Sequence, residues 1–91
     1  MSSKKLIWTK QFSKDVKQAK RRNQNLESLQ RIITMLQSGE TLPQKHKPHT
    51  LKGTYSGYKE CHIEPDWLLI WKTDSEAVYL VRTGTHSDLF G

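Results

Sequence analysis

The sequence predicts an α+β domain in which two helices pack on one face of a mainly antiparallel sheet. In the first half of the chain, Phe12, Val16 and Ala19 recur at the spacing of one helical face. Beyond Leu51 the apolar residues instead form short runs separated by polar turn residues, which is typical of antiparallel strands. A length of 91 residues fits one domain, so we expect a single unit over residues 1–91.

The N-terminal half predicts one strand and a helical hairpin. Lys5 to Thr9 is a short strand, and the Thr9 hydroxyl is suited to cap the helix that follows. That helix runs from Lys10 to about Arg22, and its remaining surface is rich in lysine and arginine. A second amphipathic helix runs from Leu26 to near Ser38, with Gly39 as its C-cap. The short connection between the helices predicts an antiparallel hairpin.

The C-terminal half predicts the sheet. Residues 40–50 hold two prolines and no periodicity, which indicates a loop. Leu51 to Tyr55 is a candidate for one additional short strand, giving a sheet of four or five strands. Gly84 is expected to allow a turn that brings His86 back over the sheet, before one helical turn at the C-terminus. The three main strand-like runs are Tyr58 to Glu64, Trp67 to Thr73 and Ala77 to Thr83.

Composition limits the possible partners and compartments. The chain carries 15 Lys and Arg against 9 Asp and Glu, a net charge of +6, which favours a polyanionic partner. Cys61 is the only cysteine, so no intramolecular disulfide is possible and a cytoplasmic location is expected. The sequence shows neither a secretion signal nor an apolar run long enough for a membrane span. We therefore expect a soluble, intracellular protein without a membrane partner.

Side chains suited to acid–base chemistry are concentrated after residue 48. Imidazoles both take and give protons near neutral pH, and an arginine offers forked donors to phosphate oxygens. A metal site is the rival interpretation, but neither a C-x-x-C nor an H-x-x-x-H pattern occurs, so we expect no metal and no cofactor. The candidates are His49, His62, Asp66, Arg82 and His86, with Trp67 and Phe90 as neighbouring aromatics.

Strand alternation and turn chemistry leave structural alternatives open for several of these residues. Alternation places Glu60 and His62 on a face turned to solvent or a cleft, and Cys61 on the core face. Asp66 could simply form a turn, and Trp67 could be a core residue. The C-terminal aromatic ring could either pin the chain end or contact a ligand.

The order of these residues resembles the YafQ-type toxins of the RelE/ParE superfamily. The resemblance spans the whole chain and is most specific in the C-terminal half. It implies a RelE-like fold and a ribosome-dependent endoribonuclease that cuts messenger RNA in the 30S A site. It also implies an antitoxin partner of the DinJ type, which we expect to be acidic. The motifs that carry it are His49-Thr50-Leu51-Lys52-Gly53, His62-Ile63-Glu64-Pro65-Asp66-Trp67 and Arg82-Thr83-Gly84-Thr85-His86.

By motif, the resemblance implies five catalytic positions and three that position RNA. Metal-free cleavage needs a base for the ribose 2′-hydroxyl, an acid for the leaving 5′-oxygen and a cation for the phosphorane. We expect His86 as the acid, and either Asp66 or His49 as the base. The remaining expectations are His62 and Arg82 at the phosphate, and Trp67, Phe90 and Lys52 for RNA positioning.

One departure and two alternative functions complete the prediction. In the family pattern the proline follows the histidine of the first motif, whereas here Pro48 precedes His49. A ParE-like toxin that binds DNA gyrase without cleaving RNA would keep the fold and lack the acid–base set. A basic nucleic-acid-binding module without chemistry would show salt-dependent binding and no cleavage.

Overall fold

In the computed structural model, residues 3–91 are described, so the first two residues of the predicted 1–91 domain lie outside it. Five strands form one mixed sheet in the order β1-β5-β4-β3-β2. Of the four pairings, only β1 with β5 is parallel, which confirms the mainly antiparallel sheet. The strands are β1 (Lys5–Trp8), β2 (His49–Thr50), β3 (Lys59–Glu64), β4 (Trp67–Thr73) and β5 (Ala77–Gly84).

The predicted helical hairpin is confirmed, with α1 at Lys10–Arg21 and α2 at Leu26–Ser38. The Thr9 hydroxyl accepts a hydrogen bond from the Phe12 backbone N–H and so caps α1. Gly39 ends α2 in the left-handed conformation, with φ +78°, which a residue without Cβ adopts at little cost. No helix within residues 3–91 combines the length and apolar character needed to cross a bilayer.

The main core lies between the helical hairpin and one face of the sheet, which we call the helix face. The other face, the site face, is covered over part of its area by a smaller cluster around Leu68, Ile70 and Leu89. Leu89 belongs to the C-terminal helix α3 (His86–Phe90), which packs on β5. The buried residues of the main core include Phe12, Ala19, Leu29, Ile32, Ile33, Cys61, Trp67, Leu69, Trp71 and Leu80.

The segment between α2 and β3 differs from the prediction. Residues 40–50 are not a plain loop, because Gln44–His46 forms a 3₁₀ turn and His49–Thr50 pairs with β3. The prediction of an additional strand at Leu51 to Tyr55 is wrong. Gly53 has φ +72° and begins a 3₁₀ turn over Gly53–Tyr55, which interrupts extended structure there.

Alternation along β3 assigns the faces correctly, but the exposure of one residue differs from the prediction. Glu60 lies on the predicted face, yet it is buried to 3% exposure instead of facing solvent. In the sheet register His49 of β2 lies beside it, and the smaller apolar cluster occupies the neighbouring part of the same face. A strand of two residues is too short to be recognised in a sequence, so the burial of Glu60 beside β2 could not be predicted.

Gly84 has a role other than the one predicted. It is the last residue of β5 and is not among the glycines with positive φ, so it supplies no left-handed turn. A Cβ added at Gly84 would lie 2.9 Å from the Asp88 Cβ. Glycine is therefore required here because the first turn of α3 folds closely over the end of β5.

Candidate active site

Cross-strand register places three candidate residues of the site face, His49, Arg82 and His62, in two neighbouring rows. His49 pairs with Glu60, Glu60 with Ile70, and Ile70 with Arg82, so the first row crosses from β2 to β5. His62 lies two residues along β3 from Glu60, opposite Leu68. Directly paired residues project to the same face of a sheet, and the two rows therefore share one surface.

His49 contacts Glu60 across the pairing of β2 with β3. The His49 Nδ1 lies 3.0 Å from the Lys47 carbonyl oxygen, which only accepts, so Nδ1 carries a hydrogen. Its Nε2 lies 3.3 Å from Glu60 Oε1, so the two groups form an ion pair when the ring is protonated. The His49 side chain is half-exposed, whereas that of Glu60 is buried. The second Glu60 oxygen, Oε2, has no partner among the described residues.

His62 is fixed in the same tautomer. Its Nδ1 lies 3.2 Å from the Pro65 carbonyl oxygen, and the hydrogen must again come from the ring. The neutral ring therefore presents Nε2 as a free acceptor. His62 also lines a cavity of about 360 Å³ with Lys45, His46 and Lys47. His46 donates from Nδ1 to the His62 carbonyl oxygen at 2.7 Å, so this histidine covers the edge of β3.

The helix α3 carries His86 and Phe90, whose ring centroids are 5.2 Å apart. Its N-terminus is fixed by a capping box in which Thr85 and Asp88 exchange hydrogen bonds with each other's backbone N–H groups. The backbone N–H of His86 donates to Asp66 Oδ1 at 3.2 Å. This bond brings the turn before β4 to the start of α3, so Asp66 and His86 are neighbours.

An ion pair ties α3 to the end of α1. Arg22 Nη1 lies 2.6 Å from Asp88 Oδ2 and donates to it. The Arg22 hydrogen bond and the Thr85 backbone N–H hold the pKa of the Asp88 carboxyl well below its usual range. Asp88 is therefore ionised throughout the neutral range, and this contact fixes the helix that presents His86.

Tyr55 joins Arg82 to this group. Its ring contacts Phe90 edge to face at a centroid distance of 5.9 Å. The hydrogen bonds that Arg82 donates to Asp15 raise the pKa of its guanidinium, and the neighbouring Tyr55 raises that pKa further. Arg82, Tyr55, Phe90 and His86 thus form a connected series along the β5 side of the site face. Tyr55 was not among the predicted residues, because its 3₁₀ turn gives no periodic signal.

Of the three predicted RNA-positioning residues, Phe90 is 43% exposed, and the other two are placed differently. Trp67 is 1% exposed and belongs to the main core on the helix face, so it has no open ring face for a base. The structural alternative for Trp67, a core residue, is the one observed. Lys52 is exposed just before the second 3₁₀ turn, and the described contacts give its side chain no hydrogen bond.

Comparison with known proteins places the chain among bacterial toxins. Residues 4–91 match the family described as a bacterial toxin of a type II toxin–antitoxin system, YafQ. The mRNA interferase toxin YafQ of Escherichia coli K12 is 39% identical over 92 residues, covering all of both chains. The matching chain in the crystal structure of the E. coli DinJ–YafQ toxin–antitoxin complex is 39% identical and has a TM-score of 0.91, with 98% of this chain and 99% of that chain covered. A metal-bound toxin from Helicobacter pylori has a TM-score of 0.88 at 34% identity, with 94% and 98% coverage.

Proposed function

Because the chain belongs to the YafQ family of bacterial type II toxins, we propose that it is an mRNA interferase. In this proposal it is a single toxin domain that acts in the cytoplasm and cuts messenger RNA on the ribosome. One observation carries the proposal: the His49 imidazole and the Arg82 guanidinium belong to one row of the site face, and helix α3, which carries the His86 imidazole, packs on the strand of Arg82. These are the groups that metal-free RNA cleavage requires.

The placement of the groups favours His49 as the base. Attack by the ribose 2′-hydroxyl requires the base and the acid on opposite sides of the phosphorus. His49 stands on β2, whereas Arg82 and His86 stand at β5, three strand spacings or roughly 14 Å away between backbones. Asp66 contacts the backbone of His86 and so lies on the acid's side. We assign the 2′-hydroxyl proton to Nε2 of a neutral His49, with the Glu60 carboxylate at 3.3 Å stabilising the imidazolium that forms, and we assign His86 to protonate the leaving 5′-oxygen.

Arg82 and His62 are assigned to the phosphate. The phosphorane carries more negative charge than the starting diester, so a fixed cation beside it lowers the barrier. The guanidinium of Arg82 is held at the edge of the site face and stays protonated, since its pKa is raised. His62 offers Nε2 on the second row of the face. The Phe90 ring and Lys52 are the groups left to hold the bases and the backbone.

The antitoxin is proposed to be an acidic protein. The E. coli relative of known structure forms a complex with DinJ. A net charge of +6 on this chain favours rapid association with an acidic partner through electrostatic steering. The same basic surface is suited to ribosomal RNA, so a bound antitoxin that covers it prevents ribosome binding as well as cleavage.

We propose that the cleavage needs no metal at the site. Base, acid and cation are all supplied by side chains, and within residues 3–91 no three His, Cys, Asp or Glu side chains are grouped as ligands. The metal-bound state of the H. pylori relative makes this a point to test.

The experiment is cleavage of a defined messenger with and without programmed ribosomes, each with and without 1,10-phenanthroline. This chelator removes transition metals and leaves the magnesium that ribosomes require. We expect cuts only with ribosomes, at positions in phase with the reading frame, and unchanged rates with the chelator. Loss of cleavage with the chelator would overturn metal independence, and equal cutting of free RNA would overturn ribosome dependence. Gyrase inhibition without any RNA cleavage would replace the proposal by the gyrase-directed alternative.

A further inference from the structure

A buried carboxylate outside the predicted site contacts one of its main residues. Asp15 lies on α1, with a side chain only 5% exposed. Its oxygens accept four hydrogen bonds, two of them from Arg82: Nε at 2.8 Å and Nη2 at 3.3 Å. The other two come from the Thr83 backbone N–H at 3.1 Å and from Gln11 Nε2 at 3.0 Å.

Helix packing alone does not call for a charge at this position. Asp15 is buried in α1 together with Phe12 and Ala19, where an apolar residue would complete the apolar face. A buried ion pair adds little stability over well-packed apolar residues, because both charges must lose water. The contact is therefore better explained by what it does to Arg82 than by stability.

Arg82 would be mobile without this contact. β1 ends at Trp8, which pairs with Leu80, so β5 runs beyond its neighbour before reaching Arg82. A free arginine side chain loses considerable rotamer entropy when it is fixed in one position. The Asp15 carboxylate accepts hydrogen bonds from Nε and Nη2 in a bidentate geometry, which leaves both Nη1 hydrogens for another acceptor.

We infer that Asp15 is a positioning residue for RNA cleavage, which holds the Arg82 guanidinium so that its Nη1 edge faces the reacting phosphate. The inference rests on the proposed function. If Asp15 has this role, helix α1, whose surface was predicted only to be basic, also helps to position a residue of the active site. Since Asp15 acts through Arg82, its contribution to the rate exists only while Arg82 is present.

The test is a double-mutant cycle on ribosome-dependent cleavage with Asp15→Asn, Arg82→Ala and the double variant. Asparagine keeps the size of the side chain but cannot accept hydrogen bonds from both Nε and Nη2 as a carboxylate does. We expect Asp15→Asn to lower kcat by up to about 100-fold, as for a misplaced catalytic group, with little change in KM. In the Arg82→Ala background the same substitution should leave kcat unchanged.

Asp74→Asn is the matched control. Asp74 is an exposed carboxylate at the opposite end of β5 that accepts three hydrogen bonds, from the Glu76 and Ala77 backbone N–H groups and the Tyr79 hydroxyl. Its replacement should lower the unfolding temperature and leave kcat per folded molecule unchanged. If Asp15→Asn does not fold, Asp15→Glu keeps the charge and displaces the carboxylate by one methylene, and it should lower kcat in the same coupled way.

Two results would overturn the inference: wild-type kcat in the folded Asp15 variant, or an equal loss of kcat in both backgrounds. An NMR measurement separates this from failure of the proposed function. The Arg82 Nε–H signal should be protected from exchange in the wild-type protein and lose that protection in Asp15→Asn. A wild-type chain that cuts no RNA while this signal behaves as expected contradicts the proposed function, whereas an unprotected wild-type signal contradicts the positioning role.

Discussion

Replacement of His86 by alanine should reduce messenger cleavage on ribosomes by about 10²- to 10⁴-fold, the usual contribution of a general acid or base. The imidazole is exposed at the start of α3 and contacts Phe90, with no part in the cap of the helix. The fold should therefore survive the substitution. The measurement is kcat on programmed ribosomes, together with the thermal unfolding midpoint.

Ser87→Ala is the control for this prediction. Ser87 is the next residue of α3, it is equally exposed, and the described hydrogen bonds do not include its side chain. It should cleave at the wild-type rate. If the His86 variant also cleaves at the wild-type rate, His86 is not the acid and Asp66, beside it, becomes the candidate.

Replacement of Trp67 by alanine should destabilise the protein by about 3–5 kcal/mol, the cost of emptying a buried site of this size. Trp67 is 1% exposed in the main core, and its loss leaves a cavity between sheet and helices. The free energy of unfolding of a small domain is only about 5–15 kcal/mol, so a large share of the variant should be unfolded at physiological temperature. The measurement is chemical denaturation, with kcat expressed per folded molecule.

Trp67→Phe separates a core role from base stacking. The indole N–H of Trp67 has no hydrogen-bond partner among the described residues, so phenylalanine loses volume but no polar contact. This variant should remain folded and keep nearly the wild-type kcat. A folded Trp67→Phe protein with kcat lowered by 10²-fold or more would show that the indole acts on RNA.

Most of the fold could be predicted because it is encoded locally. The Thr9 and Gly39 caps and the spacing of Phe12, Val16 and Ala19 fixed the helices to within one or two residues. The features that were missed depend on pairing between distant segments. β2 is only two residues long, and its pairing with β3 is what brings His49 to Glu60.

The sequence predicted which residues belong to the candidate site but not how they are arranged in space. Motif order selected His62, Asp66, Arg82 and His86 as candidates, and it also selected Trp67, which the structure places in the main core. Glu60, Tyr55 and Asp15 gave no sequence signal, because each matters through a contact partner far along the chain. Gly84 was singled out from the sequence, but glycine is required there because Asp88 approaches closely and not because the chain turns.

The chemistry of the cut ends tests the proposed mechanism most directly. Attack by the 2′-hydroxyl, driven by side chains alone, leaves a 2′,3′-cyclic phosphate upstream and a 5′-hydroxyl downstream. Messenger fragments produced on ribosomes by the wild-type protein should therefore accept a 5′-phosphate from polynucleotide kinase without prior phosphatase treatment. Fragments that already carry a 5′-phosphate and a 3′-hydroxyl would mean that water was the nucleophile, as in metal-assisted hydrolysis, and would contradict the assignment of His49, Arg82 and His86.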